Sequence, residues 1–300
     1  MTSSVLVTGA TGLVGFAIAK RLEKRGDRVR ALVRDVERAR QMLGPHIELS
    51  AGDVTDPDSV GTAMRDVGLV FHAAGIPEQW QKDDGVFDRI NRGGTATVLN
   101  AARRAGVRRV VYTSTMDVFA APPGGTLVET KLDERPKPTA YERSKQAAER
   151  EVEAVLREGL DVVLVNPGAV YGPSPVVTAL NVFVLRLLSG KVPLLPPGGM
   201  PVAFVEGVAG AHLAAAERGK SGERYLVADE HLSMVEFASA ILAAEGRGRK
   251  TPPVAPAAAL KVLASVMAPL ARTFGFTPMV AAGELSFLLW NVRIDNAKAR

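Results

Sequence analysis

The 300-residue chain contains no cysteine. That absence excludes disulfides, thiolate metal sites and a cysteine nucleophile. Histidine is scarce too. His46, His72, His212 and His231 are the only four, scattered along the chain, and no histidine metal centre is expected. Aromatic residues make up 5% of the chain, too few for a basic surface interleaved with stacking rings. The 37 basic residues are dispersed, with only short clusters such as Arg103-Arg104 and Arg108-Arg109. No basic arm for nucleic acid is present. No apolar run reaches the ~18 residues of a membrane span. A strand pattern starts almost at Met1, so no signal peptide is expected and the chain reads as a cytoplasmic enzyme.

What is present is ordinary for a globular protein: 47% apolar and 23% charged residues. Three hundred residues suffice for one large domain or two modest ones. Net charge is +5 and the isoelectric point about 9.5, a mild bias that favours an anionic ligand.

The most informative stretch is Gly9-Ala10-Thr11-Gly12-Leu13-Val14-Gly15. It follows the apolar run Val5–Val7 and precedes a helical pattern from Leu13 to Arg25. Strand, glycine turn and helix arrive in the order that holds a dinucleotide pyrophosphate. Glycines let the backbone approach the phosphates, and the helix N-terminus offers free N–H groups. The spacing is G-x-x-G-x-x-G rather than G-x-G-x-x-G, but the flanking context is the one the motif requires.

Strand patterns at Val29–Val33, Ile47–Leu49, Leu69–Phe71, Val110–Tyr112 and Val162–Val165 alternate with helix-length segments. These segments include Val36–Leu43, Asp56–Asp66, Gly94–Ala105 and Tyr141–Arg157. Apolar strands without polar alternation imply a parallel sheet covered on both faces. The expected fold is α/β, a doubly wound parallel sheet (Rossmann fold) over residues 1–165. Residues 166–300 are expected to form mainly a smaller substrate-binding part, with segments returning to the core near Tyr225–Val227. Prolines cluster after Pro167, and Ala257–Trp290 reads as apolar and helical. That stretch is expected to be a lid or wall over the substrate, with contact to a membrane surface as the alternative.

Tyr141 and Lys145 lie four apart on one face of a predicted helix. A lysine beside a phenol favours the phenolate, so such a tyrosine can exchange a proton with a carbonyl or alcohol oxygen. The strand Val110–Tyr112 runs into Thr113-Ser114-Thr115. Hydroxyls at the carboxyl end of a central parallel strand face the ligand crevice.

These landmarks resemble the extended short-chain dehydrogenase/reductase superfamily over essentially the whole chain. Further matches are Gly52-Asp53-Val54-Thr55-Asp56, His72-Ala73-Ala74-Gly75, Asn91 with Gly94-Thr95, and Asn166–Pro173. The resemblance implies a proton relay of Tyr141, Lys145 and a hydroxyl, with Thr115 the first choice and Ser114 the second. It implies cofactor contacts from Gly9, Thr11, Gly12, Leu13 and Val14. Asp53 and Val54 would flank the adenine, and Ala73, Ala74 and Gly75 would line the ribose and pyrophosphate path. Pro167, with Val170, would lie near the nicotinamide. A homodimer through Gly94–Ala105 and Tyr141–Arg157 is implied as well.

At the end of the second strand an acid binds a ribose 2′-hydroxyl, whereas an arginine accommodates a 2′-phosphate. Arg34 occupies that place and Asp35 follows it, which favours NADP(H) over NAD(H). A pocket is expected from Trp80, Met116, Asp117, Phe119, Tyr171 and the segment Val176–Pro201. It has few cations for a diphosphate, which favours a neutral, fairly hydrophobic ketone or secondary alcohol. The branch resembled is that of dihydroflavonol-4-reductases and 3β-hydroxysteroid dehydrogenases. A nucleotide-sugar epimerase or dehydratase using NAD is the alternative, and a non-catalytic NADP-binding sensor or scaffold the third reading.

Overall fold

Apolar runs become buried parallel strands here, and the amphipathic segments between them become the helices that cover both faces. The computed structural model describes residues 4–77, 80–129, 132–276 and 282–300. The first elements are β1 (Ser4–Thr8), α1 (Leu13–Arg25), β2 (Val29–Val33), α2 (Val36–Leu43), β3 (Glu48–Ala51), α3 (Pro57–Ala63) and β4 (Val67–His72). Then come the short α4 (Gly85–Phe87), α5 (Gly94–Arg104), β5 (Arg109–Thr113), β6 (Thr126–Leu127), α6 (Ala140–Arg157), β7 (Val162–Pro167) and β8 (Ala169–Tyr171). The last are α7 (Ala179–Leu188), β9 (Gly199–Phe204), α8 (Val205–Arg218), β10 (Arg224–Val227), β11 (Glu230–Ser233), α9 (Met234–Glu245), α10 (Ala257–Phe274), α11 (Ala282–Trp290) and β12 (Arg293–Ile294).

Seven strands form the main sheet in the order β10-β7-β5-β4-β1-β2-β3, and every neighbouring pair is parallel. The chain runs outward from β1 to β3, then restarts at β4 on the other side of β1. That reversal is the switch point of a doubly wound sheet, where the loops after β1 and β4 part and leave a crevice.

Side chains alternate between two layers. Val5 and Val7 meet Ile18 and Leu22 of α1, with Ala209 and Leu213 of α8 in the same cluster. Leu6 faces the opposite way, toward Val98 and Leu99 of α5 and Val152 of α6. Ile18 and Leu22 are fully buried; each such side chain contributes roughly 1.5–3 kcal/mol, so packing rather than helix propensity fixes α1 on the sheet. Gly26 ends α1 in the left-handed region at φ 89°, its N–H returned to the carbonyls of Leu22 and Glu23.

The second half of the chain is interleaved with the first. Strand β10 joins the edge of the main sheet beside β7, and α8 covers the face that α1 covers. A three-stranded sheet, β11-β9-β8, stands apart from the main one. Met200, Val202, Met234 and Phe237 fill the cluster beneath it. The stretch Ala257–Trp290 divides into α10 and α11, with residues 277–281 outside the described residues. Among the described residues no helix is long and apolar enough to cross a membrane.

Candidate active site

The glycine turn is shaped by close approach. Gly9 has φ 71°, and a Cβ there would lie 2.7 Å from backbone atoms of Ala73 and Ala74. A Cβ on Gly15 would lie 2.2 Å from the Gly9 carbonyl oxygen. These two glycines therefore press the β1 turn against the loop after β4 and against α1. Gly12 is different: φ is −93° and its nearest neighbour would be the Gly9 oxygen at 3.3 Å. It is the N-cap of α1 and supplies no side-chain cap. The first-turn N–H groups, at Leu13 and Val14, thus lack a capping acceptor, which suits an anion. Thr11, Leu13 and Val14 are half-buried around this turn.

The β1 and β4 loops are tied together through Thr8. Its hydroxyl accepts from the Ala74 N–H at 3.2 Å and pairs with His72 Nδ1 at 2.7 Å. Gly75 lies next in that loop and is exposed, with Ala73 and Ala74 half-buried. Asp53 accepts from the N–H and hydroxyl of Thr55 at 2.9 and 2.7 Å. It does not cap α3, which Asp56 does. Val54 packs against Gly94, where a Cβ would come within 2.8 Å of it.

At the end of β2, Asp35 is committed as the N-cap of α2, its carboxylate accepting from the Arg38 N–H at 3.0 Å. Arg34 is exposed and, among the described residues, has no hydrogen-bond or ion-pair partner.

Tyr141 and Lys145 occupy the first two turns of α6, started by a capping box of Thr139 and Glu142. The Tyr141 ring meets Phe87 edge-on, centroids 6.1 Å apart. Lys145 is buried, and its ammonium donates to the Tyr112 hydroxyl at 2.8 Å and the Thr113 carbonyl at 2.9 Å. It also sits 4.6 Å from the Tyr112 ring centroid. An ammonium has three protons to donate, so one remains for a ligand. Burial lowers the Lys145 pKa to about 8, against the pull of the Glu149 and Asp117 carboxylates.

The hydroxyl triplet splits. Thr115 Oγ1 donates to Asp117 Oδ2 at 2.7 Å, just past β5. Ser114 turns the other way and donates to Glu149 Oε1 at 2.5 Å. Glu149 is fully buried and is also held by Asn166 Nδ2 at 2.9 Å and Arg224 Nε at 2.6 Å. Thus Ser114, the second choice for the relay, belongs to a buried network that pins α6 to β7 and β10. Met116 and Phe119, expected as pocket lining, are instead core. They are 1% and 0% exposed and pack with Val118, Leu127 and Leu226. The short 3₁₀ turn after Thr115 rotates them inward, which strand alternation cannot foresee.

Trp80 is half-buried in the segment between β4 and α4. Tyr171 packs edge-on against Phe204 and Phe237, and burial raises its pKa, helped by the carboxylates of Asp229 and Glu230. Pro167 is buried at the end of β7, and Val170 follows it in β8.

Two groups carry more of the site than sequence reading assigned. Asn91 lies in a π-helical stretch, Asp88–Gly93, that interrupts the helix between α4 and α5. Such a stretch redirects side chains and often marks a functional position. Asn91 exchanges hydrogen bonds with the Ile76 backbone at 2.8 and 3.1 Å and donates to Ser144 Oγ at 2.9 Å. It locks the β4 loop to the start of α6. Tyr112 anchors Lys145 and stacks on His72, centroids 5.5 Å apart. Its place as the residue before the hydroxyl triplet was the only available signal.

The arrangement fits a nicotinamide dinucleotide: a turn that a Cβ would fill, an uncapped helix start, an arginine with no partner among the described residues, and a lysine with one proton to spare. Residues 5–228 match the NAD dependent epimerase/dehydratase family. The chain is 32% identical to sterol demethylase protein B of Methylococcus capsulatus, over 99% of this chain and 92% of that one. It is 33% identical to a putative dihydroflavonol 4-reductase of Synechocystis sp., over 78% of this chain and 70% of that one. The crystal structure of gox2253 matches with a TM-score of 0.84 at 30% identity, covering 99% of this chain and 91% of that one. The Bordetella bronchiseptica enzyme WbmH, solved in complex with NAD+, matches with a TM-score of 0.71 at 26% identity, covering 84% of each chain. This chain belongs to the NAD-dependent epimerase/dehydratase family of extended short-chain dehydrogenases/reductases, and it is an enzyme that works with a nicotinamide dinucleotide.

Proposed function

We propose that this enzyme transfers a hydride between NADPH and the ketone or secondary alcohol of a neutral, fairly hydrophobic small molecule. The observation that carries the reading is the pairing of Tyr141 with a buried, anchored Lys145 at the open end of the sheet. When bound, the cofactor supplies or takes the hydride. Every proton step falls to the chain. Tyr141 gives its phenolic proton to the oxygen of a carbonyl undergoing reduction, or takes one from an alcohol undergoing oxidation. Lys145 stabilises the phenolate electrostatically, and its remaining N–H donates to a ribose hydroxyl. Thr115 is the hydroxyl that holds the substrate oxygen.

Arg34 supports NADPH, because it stands unpaired where a 2′-phosphate is received while Asp35 is occupied by its helix. The substrate class rests on the wall around β8 and α7. Tyr171, Phe183, Val184 and Phe237 are aromatic or aliphatic, and Arg186 and Lys191 are exposed. The carboxylates that raise the Tyr171 pKa disfavour a diphosphate. Relatives named for a sterol and a dihydroflavonol point the same way. We assign the part after Pro167, apart from α8 and β10, to substrate binding.

Tyr141→Phe should reduce NADPH-dependent turnover of a carbonyl panel by about 10²- to 10⁴-fold. NADPH affinity, by fluorescence titration, should change less than about threefold, since the hydroxyl acts on the substrate. Retained turnover overturns the assignment. The family's epimerases supply the second reading, whose signature is NAD retained through purification and no net cofactor consumption.

A further inference from the structure

Asp117 is not used by the relay described above, yet it is bonded to it. Its carboxyl is buried at 8% exposure, and Thr115 Oγ1 is 2.7 Å from Oδ2. The other oxygen, Oδ1, is buried and has no hydrogen-bond partner among the described residues. The Asp117 N–H also donates to Thr115 Oγ1, at 3.3 Å. Thr115 therefore gives its one proton to the Asp117 carboxyl and accepts from the Asp117 N–H.

The proton count decides what Thr115 can offer a substrate. A carboxylate only accepts. With Asp117 ionised, the Thr115 proton is committed to Oδ2, and the hydroxyl can only accept from a substrate. A carbonyl oxygen finds no donor there, and an alcohol satisfies Thr115 only by turning its one O–H away from Tyr141. With Asp117 protonated, the carboxylic O–H donates to Thr115 Oγ1 and the threonine proton is released toward the substrate. A carbonyl oxygen then finds a donor. No bond other than hydrogen bonds changes, and the only particle exchanged is the proton Asp117 takes from or returns to solvent.

Resting on the reading of the site as a carbonyl/alcohol oxidoreductase, we propose that Asp117 is a positioning residue that sets the direction of the Thr115 hydroxyl and so decides whether that hydroxyl can donate to the substrate oxygen in the transition state that reduction and oxidation share. The surroundings bring this change into the working range. Burial raises the Asp117 pKa to about 6 and Glu142 of α6 adds to the rise. The Thr115 hydrogen bond opposes it, as do Lys137, in the segment before α6, and Lys145 of α6. Lys137 is itself held by the Phe119 carbonyl and by Asp133 at 3.4 Å. Acid Asp117, below about pH 6, leaves Thr115 free to donate in both directions, and ionised Asp117, above it, withholds that donor.

The test is the pH dependence of kcat/KM in both directions, between pH 5 and 8.5, for wild type, Asp117→Asn and Thr115→Val. In wild type, reduction should fall by about tenfold per unit above pH 6 until the contribution of one oxyanion donor, about 100-fold, is lost. Asp117→Asn cannot titrate, and its amide N–H can donate to Thr115. It should lose that limb and reduce the carbonyl about tenfold faster than wild type at pH 8. Thr115→Val should be slower throughout and lack the limb, which keeps the test valid if the Asn variant does not fold. A limb near pH 6 that persists in Asp117→Asn or in Thr115→Val overturns this proposal and leaves the oxidoreductase reading intact. Wild-type protein that turns over no carbonyl or alcohol overturns both.

Discussion

Asp35 accepts a hydrogen bond from the Arg38 N–H at 3.0 Å and is thereby the cap of α2, while its neighbour Arg34 has no partner among the described residues. The two charges after β2 thus have different work. Arg34→Ala should weaken NADPH binding by about 10- to 150-fold, the worth of a charge-assisted contact of ~1.5–3 kcal/mol. NADH binding should hardly change. Asp35→Ala should cost about 1 kcal/mol of stability through the lost cap and leave both affinities near wild type. Titration of both cofactors against the three proteins, with urea denaturation alongside, reads all of this. Equal losses of NADPH and NADH on Arg34→Ala would remove the 2′-phosphate role.

The three glycines of the first turn should behave differently when substituted. Gly15→Ala places a Cβ 2.2 Å from the Gly9 oxygen, so α1 must shift. A stability loss of roughly 1–3 kcal/mol or more is expected. Gly9→Ala meets both a backbone clash and φ 71° and should be no better tolerated. Gly12→Ala has ordinary φ and a nearest contact of 3.3 Å, so its urea midpoint should stay close to wild type. If this turn is where the pyrophosphate is held, the added methyl group crowds it, and cofactor affinity should fall by about tenfold or more. A Gly12→Ala protein with unaltered affinity would contradict the cradle.

Acid should destabilise the fold before carboxylates titrate. Burial lowers the pKa of His72 to about 3, with a contribution from Lys145, and that of His212 to about 4. In the unfolded chain both return to about 6.5. Below that value the unfolded state binds protons the folded state refuses, so stability is complete above pH ~6.5 and is lost as pH falls toward the folded values. At pH 5 each histidine should cost roughly 2 kcal/mol. Urea midpoints at pH 7.5 and 5.0 measure the loss, and His212→Gln should remove about half of it. An unchanged midpoint at pH 5.0 would show that these imidazoles are not held neutral.

The α1, β2 and α2 boundaries were legible in the sequence to the residue. Their signals are local: Gly26 ending α1, and apolar runs for strands; that Asp35 caps α2 came from the structure. The helix around Asn91 was legible only from Gly94 onward. Its first nine residues include a π-helical stretch, and a π turn breaks the 3.6-residue periodicity by which a helix is recognised. Thr115 and Ser114 were both visible as hydroxyls, but sequence could not say which way each would turn. That depended on Glu149, 35 residues downstream, which takes the Ser114 hydroxyl into the core.

The sequence by itself determined the alternation of strands and helices over the first 165 residues, the glycine turn, the Tyr141–Lys145 pair and the family. Each rests on spacing within a few residues, which backbone geometry converts directly into a shared face or a tight turn. Tertiary structure alone decided that Tyr112 anchors Lys145, that Asp117 lies buried against Thr115, that Met116 and Phe119 are core, and that α8 covers the same face of the sheet as α1. Those relationships join residues on different strands and helices. They arise when the switch-point topology folds the segments over one another, and the burial that follows sets which polar groups must find each other.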